Sequence, residues 1–317
     1  MATRCIEQYT RIHRKRTSKK MNKSNLKDLS IFNKDGAIFM GATRSIDQCN
    51  VSLLGIPYDG TCCFRPGSRF GPSAIREDSY GIETYCPQLN LDLEDINFAD
   101  LGSLDVPIGD VKLIINHVQE ATDILLKNNL KPLIIGGEHS ITSGVIKSII
   151  TKYPELIMIQ LDAHADLRDE WLGSQFSHAC SMKRCLEILP SKKIFQIGIR
   201  SGTKLEFIEM RNNKSLIPHN LGDNAKYLEE ALKDLHGRPI YLTFDLDWFD
   251  PSIMPGTGTP EPGGYLWRDF AAIVEVLRSH NLIGADVVEL SPKLDNSGIS
   301  SILAAKVIRS LIMLLNQ

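Results

Sequence analysis

The feature that most constrains the fold is a regular alternation of two patterns from residue 50 to the end of the chain. Short apolar runs of strand length alternate with longer segments whose apolar residues have helical spacing and few breakers. The predicted strands are 51–56, 96–101, 132–135, 156–161, 194–199, 239–244 and 283–290, and the predicted helices are 111–128, 141–153, 224–235, 266–278 and 299–315. This alternation is typical of βαβ units, so the sequence predicts an α/β fold with a mostly parallel central sheet.

Basic residues are concentrated at the N-terminus, and the rest of the chain is acidic. With 317 residues, of which 43% are hydrophobic and 23% charged, the composition is that of a globular protein. Residues 1–23 hold eight basic side chains and one acidic one, whereas the rest of the chain holds 28 basic and 37 acidic ones. We therefore expect residues 1–30 to be a basic, disordered extension and residues 31–317 to be one domain. The acidic body argues against nucleic acid as the main partner, although the basic tail leaves that alternative open.

The same chain offers little for a membrane or a disulfide framework. No apolar run approaches the roughly 18 residues that a membrane-spanning helix needs, so we expect no integral membrane protein. The seven cysteines are odd in number, and the adjacent Cys62 and Cys63 form no CxxC motif. This usage favours a reduced, cytoplasmic protein.

Metal-ligand side chains follow three of the predicted strands at the point where each strand ends. They are His139, then Asp162, His164 and Asp166, then Asp245 and Asp247. Ligand sites in parallel α/β sheets form beyond the carboxyl ends of the strands, and alternate residues of an extended segment share one side. Four carboxylates and two imidazoles carry a charge that two divalent cations would neutralise, about 3.5–4 Å apart if carboxylates bridge them. A ligand set without thiolates favours manganese over iron, cobalt or zinc.

Other interpretations of these residues stay open at this point. A single aspartate at a strand end is most often a cap or turn residue, and a single histidine usually has a local hydrogen bond. Three such strand ends together make that interpretation weak. A binuclear site could also serve a phosphatase or nuclease, which would need basic residues around it, and only Arg168 and Arg200 lie near in the sequence. A non-catalytic binding protein that has lost its activity is a further alternative.

The segments 136–139 (GGEH), 162–166 (DAHAD) and 244–251 (FDLDWFDP) resemble, in order and spacing, the three motifs of the ureohydrolase family, which includes arginase and agmatinase. The resemblance covers roughly residues 45–315. It implies a three-layer α/β/α fold with two manganese ions. One manganese would be held by His139, Asp162, Asp166 and Asp245, and the other by Asp162, His164, Asp245 and Asp247.

The resemblance also implies the catalytic roles. Glu289 matches the carboxylate that anchors the substrate guanidinium, a planar group that favours paired hydrogen bonds. His178 matches the histidine that shuttles a proton to the leaving amine. Asp166 would orient the attacking hydroxide and take its proton. The products would be urea and an amine, formed without an organic cofactor.

The choice of guanidino substrate depends on one short segment, whereas the predicted metal site depends on three motifs. Residues 167–178 lack the asparagine that arginases use soon after the second motif, and the stretch resembles bacterial agmatinases within the family. Agmatine ends in a cationic amine, which the acidic side chains of Asp169 and Glu170 could favour. Hydrolysis of agmatine to putrescine and urea would belong to polyamine biosynthesis. Guanidinobutyrate, arginine and other ω-guanidino compounds stay open, and the resemblance further implies a homo-oligomer, a trimer or hexamer.

Overall fold

The computed structural model describes residues 32–33, 36–107, 109–190, 193–217 and 223–317. The expected basic extension, residues 1–30, lies outside the described residues. Within the described part, no helix is both long enough and apolar enough to cross a bilayer. The six described cysteines are all free thiols, as the sequence predicts.

A nine-stranded sheet forms the middle of the protein. Its strands are β1 (Phe32–Asn33), β2 (Val51–Ile56), β5 (Phe98–Leu104), β6 (Lys131–Gly136), β7 (Ile157–Leu161), β8 (Ile194–Ile197), β9 (Leu216–Ile217), β10 (Pro239–Asp245) and β11 (Asn281–Val288). They lie in the order β1-β5-β2-β6-β11-β10-β7-β8-β9. Every neighbouring pair is parallel except β1 and β5. A separate two-stranded hairpin pairs β3 (Tyr85–Cys86) with β4 (Leu91–Asp92).

Helices cover both faces of the sheet. They are α1 (Gly71–Asp78), α2 (Val111–Lys127), α3 (Thr142–Lys152), α4 (Ser181–Leu186), α5 (Lys204–Asn213), α6 (Asn224–Leu232), α7 (Trp267–Arg278) and α8 (Ile299–Leu315). Buried residues of α2 to α5 share one hydrophobic cluster with one face of the sheet, and those of α1 and α6 to α8 share a second cluster with the other face. The architecture is therefore the predicted three-layer α/β/α fold.

Strand side chains divide between these clusters according to the strand period. In β6, Leu133 and Ile135 belong to one cluster and Ile134 to the other. Because both faces are covered, such a strand is apolar along its whole length, and the sequence shows it as an uninterrupted apolar run.

The sequence predicts the long elements well and the short ones poorly. The strand 51–56 and the helix 299–315 have the bounds that were predicted, whereas the strand predicted at 96–101 covers Phe98–Leu104 instead. Helix α1, which has a proline in its first turn, is absent from the predicted helices. Helix α5 was also missed, although Thr203 and Glu206 form a capping box that marks its start.

Candidate metal centre

The carboxyl ends of four neighbouring strands meet in the middle of the sheet. Strands β6, β11, β10 and β7 are adjacent in that order. His139 comes soon after β6, Glu289 follows β11, Asp245 ends β10, and Asp162 follows β7. The topology therefore brings together side chains that are more than one hundred residues apart in the chain.

One half of the site surrounds the ring of His139. Its Nδ1 atom lies 3.1 Å from an oxygen of Asp162, 3.0 Å from one of Asp166 and 3.6 Å from one of Asp245. All four side chains are almost completely buried. The three carboxylates converge on one imidazole nitrogen from the ends of β7 and β10 and from the loop that follows β7.

The other half surrounds His164, whose Nδ1 atom lies 2.9 Å from an oxygen of Asp247 and 3.7 Å from the second oxygen of Asp162. Two groups of ligand atoms, each within 4.8 Å of one another, result: His139 with Asp162 and Asp245, and Asp162 with His164 and Asp247. Asp162 is common to both groups, as expected of a bridging ligand. Asp166 lies beside His139 but outside these two groups, and Asp245 belongs to only one of them.

Burial and the closely spaced carboxylates shift the pKa values of the side chains in this cluster. Burial raises the pKa of Asp245 well above its usual range, and the negative charges of Asp247 and Asp162 raise it further. Burial would lower the pKa of His164, but the attraction of Asp247 and Asp162 outweighs burial and raises it to about 12. Burial and the neighbouring Asp162 raise the pKa of Asp166 to about 6. The site thus requires positive charge that its own residues supply only by binding protons.

A chain of hydrogen bonds from Asp286 through Thr243 holds the Nε2–H of His139 in place. Asp286 accepts hydrogen bonds from the hydroxyls of Tyr241 (2.7 Å) and Thr243 (2.6 Å). Because the Thr243 proton is used in this way, its oxygen accepts the hydrogen of His139 Nε2, 2.9 Å away. Its Nδ1 atom is buried and faces Asp162 and Asp166. Burial would lower the pKa of His139, but the hydrogen bonds and charges of these carboxylates outweigh burial and raise it well above its usual range. A bound cation would take the place of that proton and accept the Nδ1 lone pair. A neutral histidine held through its other nitrogen is the usual arrangement of a metal ligand, so the residues present fit a divalent cation.

Two of the predicted site residues have a backbone conformation that favours glycine. Asp166 has φ 52° and Glu289 has φ 68°. Such strain in non-glycine residues is concentrated at functional sites. The Glu289 N–H donates to the carbonyl of Gly137, and its carboxylate accepts the N–H of His139 at 2.8 Å. Glu289 therefore lies directly beside the metal-ligand segment, where burial and the charge of Glu138 raise its pKa well above its usual range.

His178 is partly buried and is held by the segment that follows β2. Its backbone N–H donates to the hydroxyl of Thr61 at 3.0 Å, and its Nδ1 lies 3.3 Å from the same oxygen. Thr61 in turn donates to Glu138, which also accepts the Thr61 N–H and the Ser140 hydroxyl. Burial lowers the pKa of His178 to about 4, so the ring is neutral at neutral pH.

The two acidic residues predicted to favour a cationic substrate belong to a more exposed segment. We call residues 162–166 the ligand loop and residues 168–174 the rim loop. In the rim loop, Asp169 is paired with Arg184 at 2.7 Å, and its side chain is 70% exposed. Glu170 is exposed as well. The ring of Trp171 packs under the guanidinium of Arg168, 4.0 Å from the ring centre. Neither acid is part of the ligand cluster.

Sequence reasoning missed several polar residues around the ligands: Thr61, Gln160, Gln196, Thr243 and Asp286. Two of them carry a simple signal. Gln160 and Thr243 each precede a predicted ligand by two residues on the same strand, and therefore point to the same side. The other three are distant in sequence from the ligands that they support, so no local spacing indicates them.

Comparison with known proteins gives a consistent result. The model of the Arginase family matches residues 49–314. An agmatinase of Bacillus subtilis is 39% identical over 280 residues, which are 88% of this chain and 96% of that protein. A mitochondrial guanidino acid hydrolase of Homo sapiens is 32% identical over 83% of this chain and 78% of its own length. The crystal structure of agmatine ureohydrolase of Thermoplasma volcanium superposes with a TM-score of 0.79 at 29% identity and covers 88% of this chain and 94% of that one.

Proposed function

Since the chain belongs to the arginase family and is a hydrolase of a guanidino C–N bond, we propose that it converts agmatine to putrescine and urea with two manganese ions. The observation that carries this proposal is the pair of ligand groups that share Asp162, with Glu289 beside them. The similarity to agmatinases over most of the chain supports agmatine as the substrate.

The ligand assignment that we propose adds Asp166 to the first group and Asp245 to the second, as the family resemblance implies. One ion would be held by His139, Asp162, Asp166 and Asp245, and the other by Asp162, His164, Asp245 and Asp247. Oxygen and imidazole ligands without thiolate favour manganese. When bound, the two cations would acidify a water molecule so that a nucleophile is available near neutral pH.

The remaining steps belong to the residues around the ligands. Glu289 would bind the substrate guanidinium through paired hydrogen bonds and hold its carbon against the nucleophile. Asp166 would accept the proton that the attacking water gives up. His178 is neutral at neutral pH and only partly buried, and we propose that it carries a proton to the leaving amine.

We propose that the exposed rim loop attracts the end of the substrate that carries the amine, opposite the guanidinium. Agmatine ends in a cation, and the carboxylates of Asp169 and Glu170 would attract it over several ångströms of water rather than through a direct contact. The pairing of Asp169 with Arg184 reduces the attraction that this side chain offers. We therefore assign these two residues a modest electrostatic role.

A guanidino acid is the second candidate, because a guanidino acid hydrolase is among the relatives and because Arg168 lies over Trp171 in the rim loop. The carboxylate of 4-guanidinobutyrate would pair with such a cation, whereas the amine of agmatine would be repelled by it.

Urea release by the manganese-loaded protein tests the proposal. Agmatine, arginine and 4-guanidinobutyrate would be offered in parallel, with metal-stripped protein as the control. We expect metal-dependent urea from agmatine and much less from the other two. Urea mainly from 4-guanidinobutyrate would replace agmatine by the second candidate. No urea from any of them with manganese bound would reject all three substrates.

The oligomeric state and the pathway are proposals of the same kind. We propose a trimer or hexamer of this chain, to be measured by sedimentation equilibrium. A putrescine product would place the enzyme in polyamine synthesis, and identification of the amine product tests this directly.

A further inference from the structure

Two buried glutamines connect the ligand loop to the neighbouring strand. Gln160 on β7 and Gln196 on β8 are direct cross-strand partners, and both are at most 1% exposed. The Gln160 side-chain nitrogen donates to Asp162 Oδ2 at 2.7 Å and to the carbonyl of His164 at 3.2 Å. The Gln196 side-chain nitrogen donates to Gln160 Oε1 at 2.8 Å and to the carbonyl of Ala165 at 3.1 Å.

The direction of this chain of hydrogen bonds is fixed by the backbone carbonyls of His164 and Ala165, which can only accept. The Ser215 hydroxyl donates to Gln196 Oε1 at 3.0 Å. Both hydrogens of each amide group and the oxygen of each are therefore used. If Gln160 were reversed, its oxygen would face a carboxylate and a carbonyl, two groups that can only accept. The chain therefore delivers an N–H to Asp162 and no other arrangement satisfies its members.

The strands themselves do not need these carboxamides. β7 and β8 are already joined by their backbone ladder, and the preceding positions on the same face, Met158 and Ile194, are an apolar cross-strand pair. Buried polar groups in such surroundings cost free energy unless every hydrogen bond is made, so an apolar pair would serve packing equally well. What the glutamines contact, and an apolar pair could not hold, is the ligand loop at three positions: Asp162, His164 and Ala165.

The carboxylate of Asp162 is thereby held at both oxygens. Oδ1 accepts the backbone N–H of His164 at 2.7 Å, and Oδ2 accepts the Gln160 amide. This arrangement fixes the rotation of the carboxylate and leaves its other lone pairs facing the two ligand groups that share it. Partners of this kind orient the ligands of a metal, and their loss typically costs 10–100-fold in metal affinity or activity.

We propose that Gln160 and Gln196 are positioning residues that set the affinity of the site for divalent metal, by orienting Asp162 and holding the ligand loop. The inference rests on the proposed function only in that the site binds metal. It does not depend on which guanidino compound is hydrolysed.

The test measures manganese binding directly. Metal-free Gln160→Met, Gln196→Met and wild-type protein would be dialysed against increasing manganese, and the bound metal counted. Methionine keeps the length of the side chain and removes its hydrogen bonds. We expect the manganese dissociation constants of Gln160→Met to rise by about 10–100-fold. Those of Gln196→Met should rise by less, because Gln196 reaches Asp162 only through Gln160 and contacts the ligand loop itself at one carbonyl. Thermal unfolding of the metal-free proteins measures any loss of folding separately.

Manganese binding by the double variant shows whether the two glutamines act together through their shared hydrogen bond or independently. Because Gln196 reaches Asp162 through Gln160, the dissociation constants of the double variant should rise by less than the product of the two single effects, and a rise equal to that product would contradict the coupling. Gln88→Met is the matched control, because its amide donates to the carbonyl of Ala271 on α7, away from the ligands. It should bind manganese as wild type does.

The inference would be overturned if Gln160→Met bound manganese with the dissociation constants of wild type. It would also be overturned if Gln88→Met weakened manganese binding as much as Gln160→Met does. If Gln160→Met does not fold, Gln196→Met and the smaller change Ser215→Ala decide the question, and unchanged manganese binding in both would overturn it. Normal manganese binding by wild type without urea release would reject the agmatine function and leave this inference standing.

Discussion

Two consecutive segments of the chain are held in different ways. Four of the five residues in the ligand loop are buried, and its backbone pairs with residues 200–201 while Ala163 N–H donates to Asp247. The rim loop that follows is largely exposed, with Leu172 at 76%, and is tied by the Asp169–Arg184 pair and a turn between Trp171 and Ser174. The buried loop carries the proposed metal chemistry, and the exposed loop carries the proposed choice of substrate. A change in the first should therefore affect every substrate, and a change in the second should affect some substrates more than others.

The largest effect should follow the loss of a strand-end ligand. Replacing Asp245 by Ala removes a carboxylate that contacts His139 and lies beside the proposed bridging ligand. We expect urea formation to fall at least about 10³-fold, because the metal supplies several kcal/mol of the catalysis. Metal analysis and urea assays on each guanidino compound check this result. Asp234→Ala is the control, because Asp234 is an exposed acid that follows helix α6 and is not among the ligands. Activity of Asp245→Ala near the wild-type value would contradict the assignment.

His178 follows the rim loop in the chain, and Thr61 holds it in place. Thr61→Val keeps the shape of the side chain and removes the hydroxyl, so His178 loses a partner at its backbone N–H and at Nδ1. We expect kcat to fall about tenfold, the equivalent of one hydrogen bond, with KM and metal content unchanged. Thr61→Ser keeps the hydroxyl and should recover most of kcat. A rise in KM alone would show that Thr61 serves binding instead.

The burial of His178 also predicts a dependence of stability on pH. Burial lowers its pKa to about 4 in the folded protein, from an ordinary value of about 6.5 in the unfolded chain. The unfolded chain therefore binds a proton first as pH falls below 6.5, and the stabilisation from this group is lost between pH 6.5 and pH 4. Metal-free wild type should lose about 1 kcal/mol more than His178→Gln between pH 7.5 and pH 5 in urea unfolding, after allowance for partial exposure. Parallel stability curves for the two proteins would show that the ring titrates normally.

The smallest effect should come from the rim loop. Changing Asp169 to Asn and Glu170 to Gln removes two exposed charges, and exposed charges interact weakly through water. We expect the KM for agmatine to rise by no more than about threefold, with kcat constant and with little change for 4-guanidinobutyrate. If the KM for agmatine is unchanged, these residues have no part in substrate choice. A large fall in kcat would break the distinction between the two loops.

The sequence predicts the ligands for the same reason that it predicts the sheet. Asp162, His164 and Asp245 follow apolar runs, and a parallel sheet places such strand ends together. The supporting residues escape prediction because Gln196 and Asp286 are polar residues within buried strands, whose partners are set by strand order rather than by spacing. The pairing of Asp169 with Arg184 was equally hidden, because it depends on how the rim loop packs against α4.

The central claim is that buried strand ends hold two metal ions that together make the enzyme active. The most direct test titrates metal-free protein with manganese while bound metal and urea from agmatine are measured in the same samples. The account predicts no urea without metal, an activity that rises with bound manganese, and saturation at two ions per chain. Full activity at one ion per chain, or urea release by the metal-free protein, would contradict it.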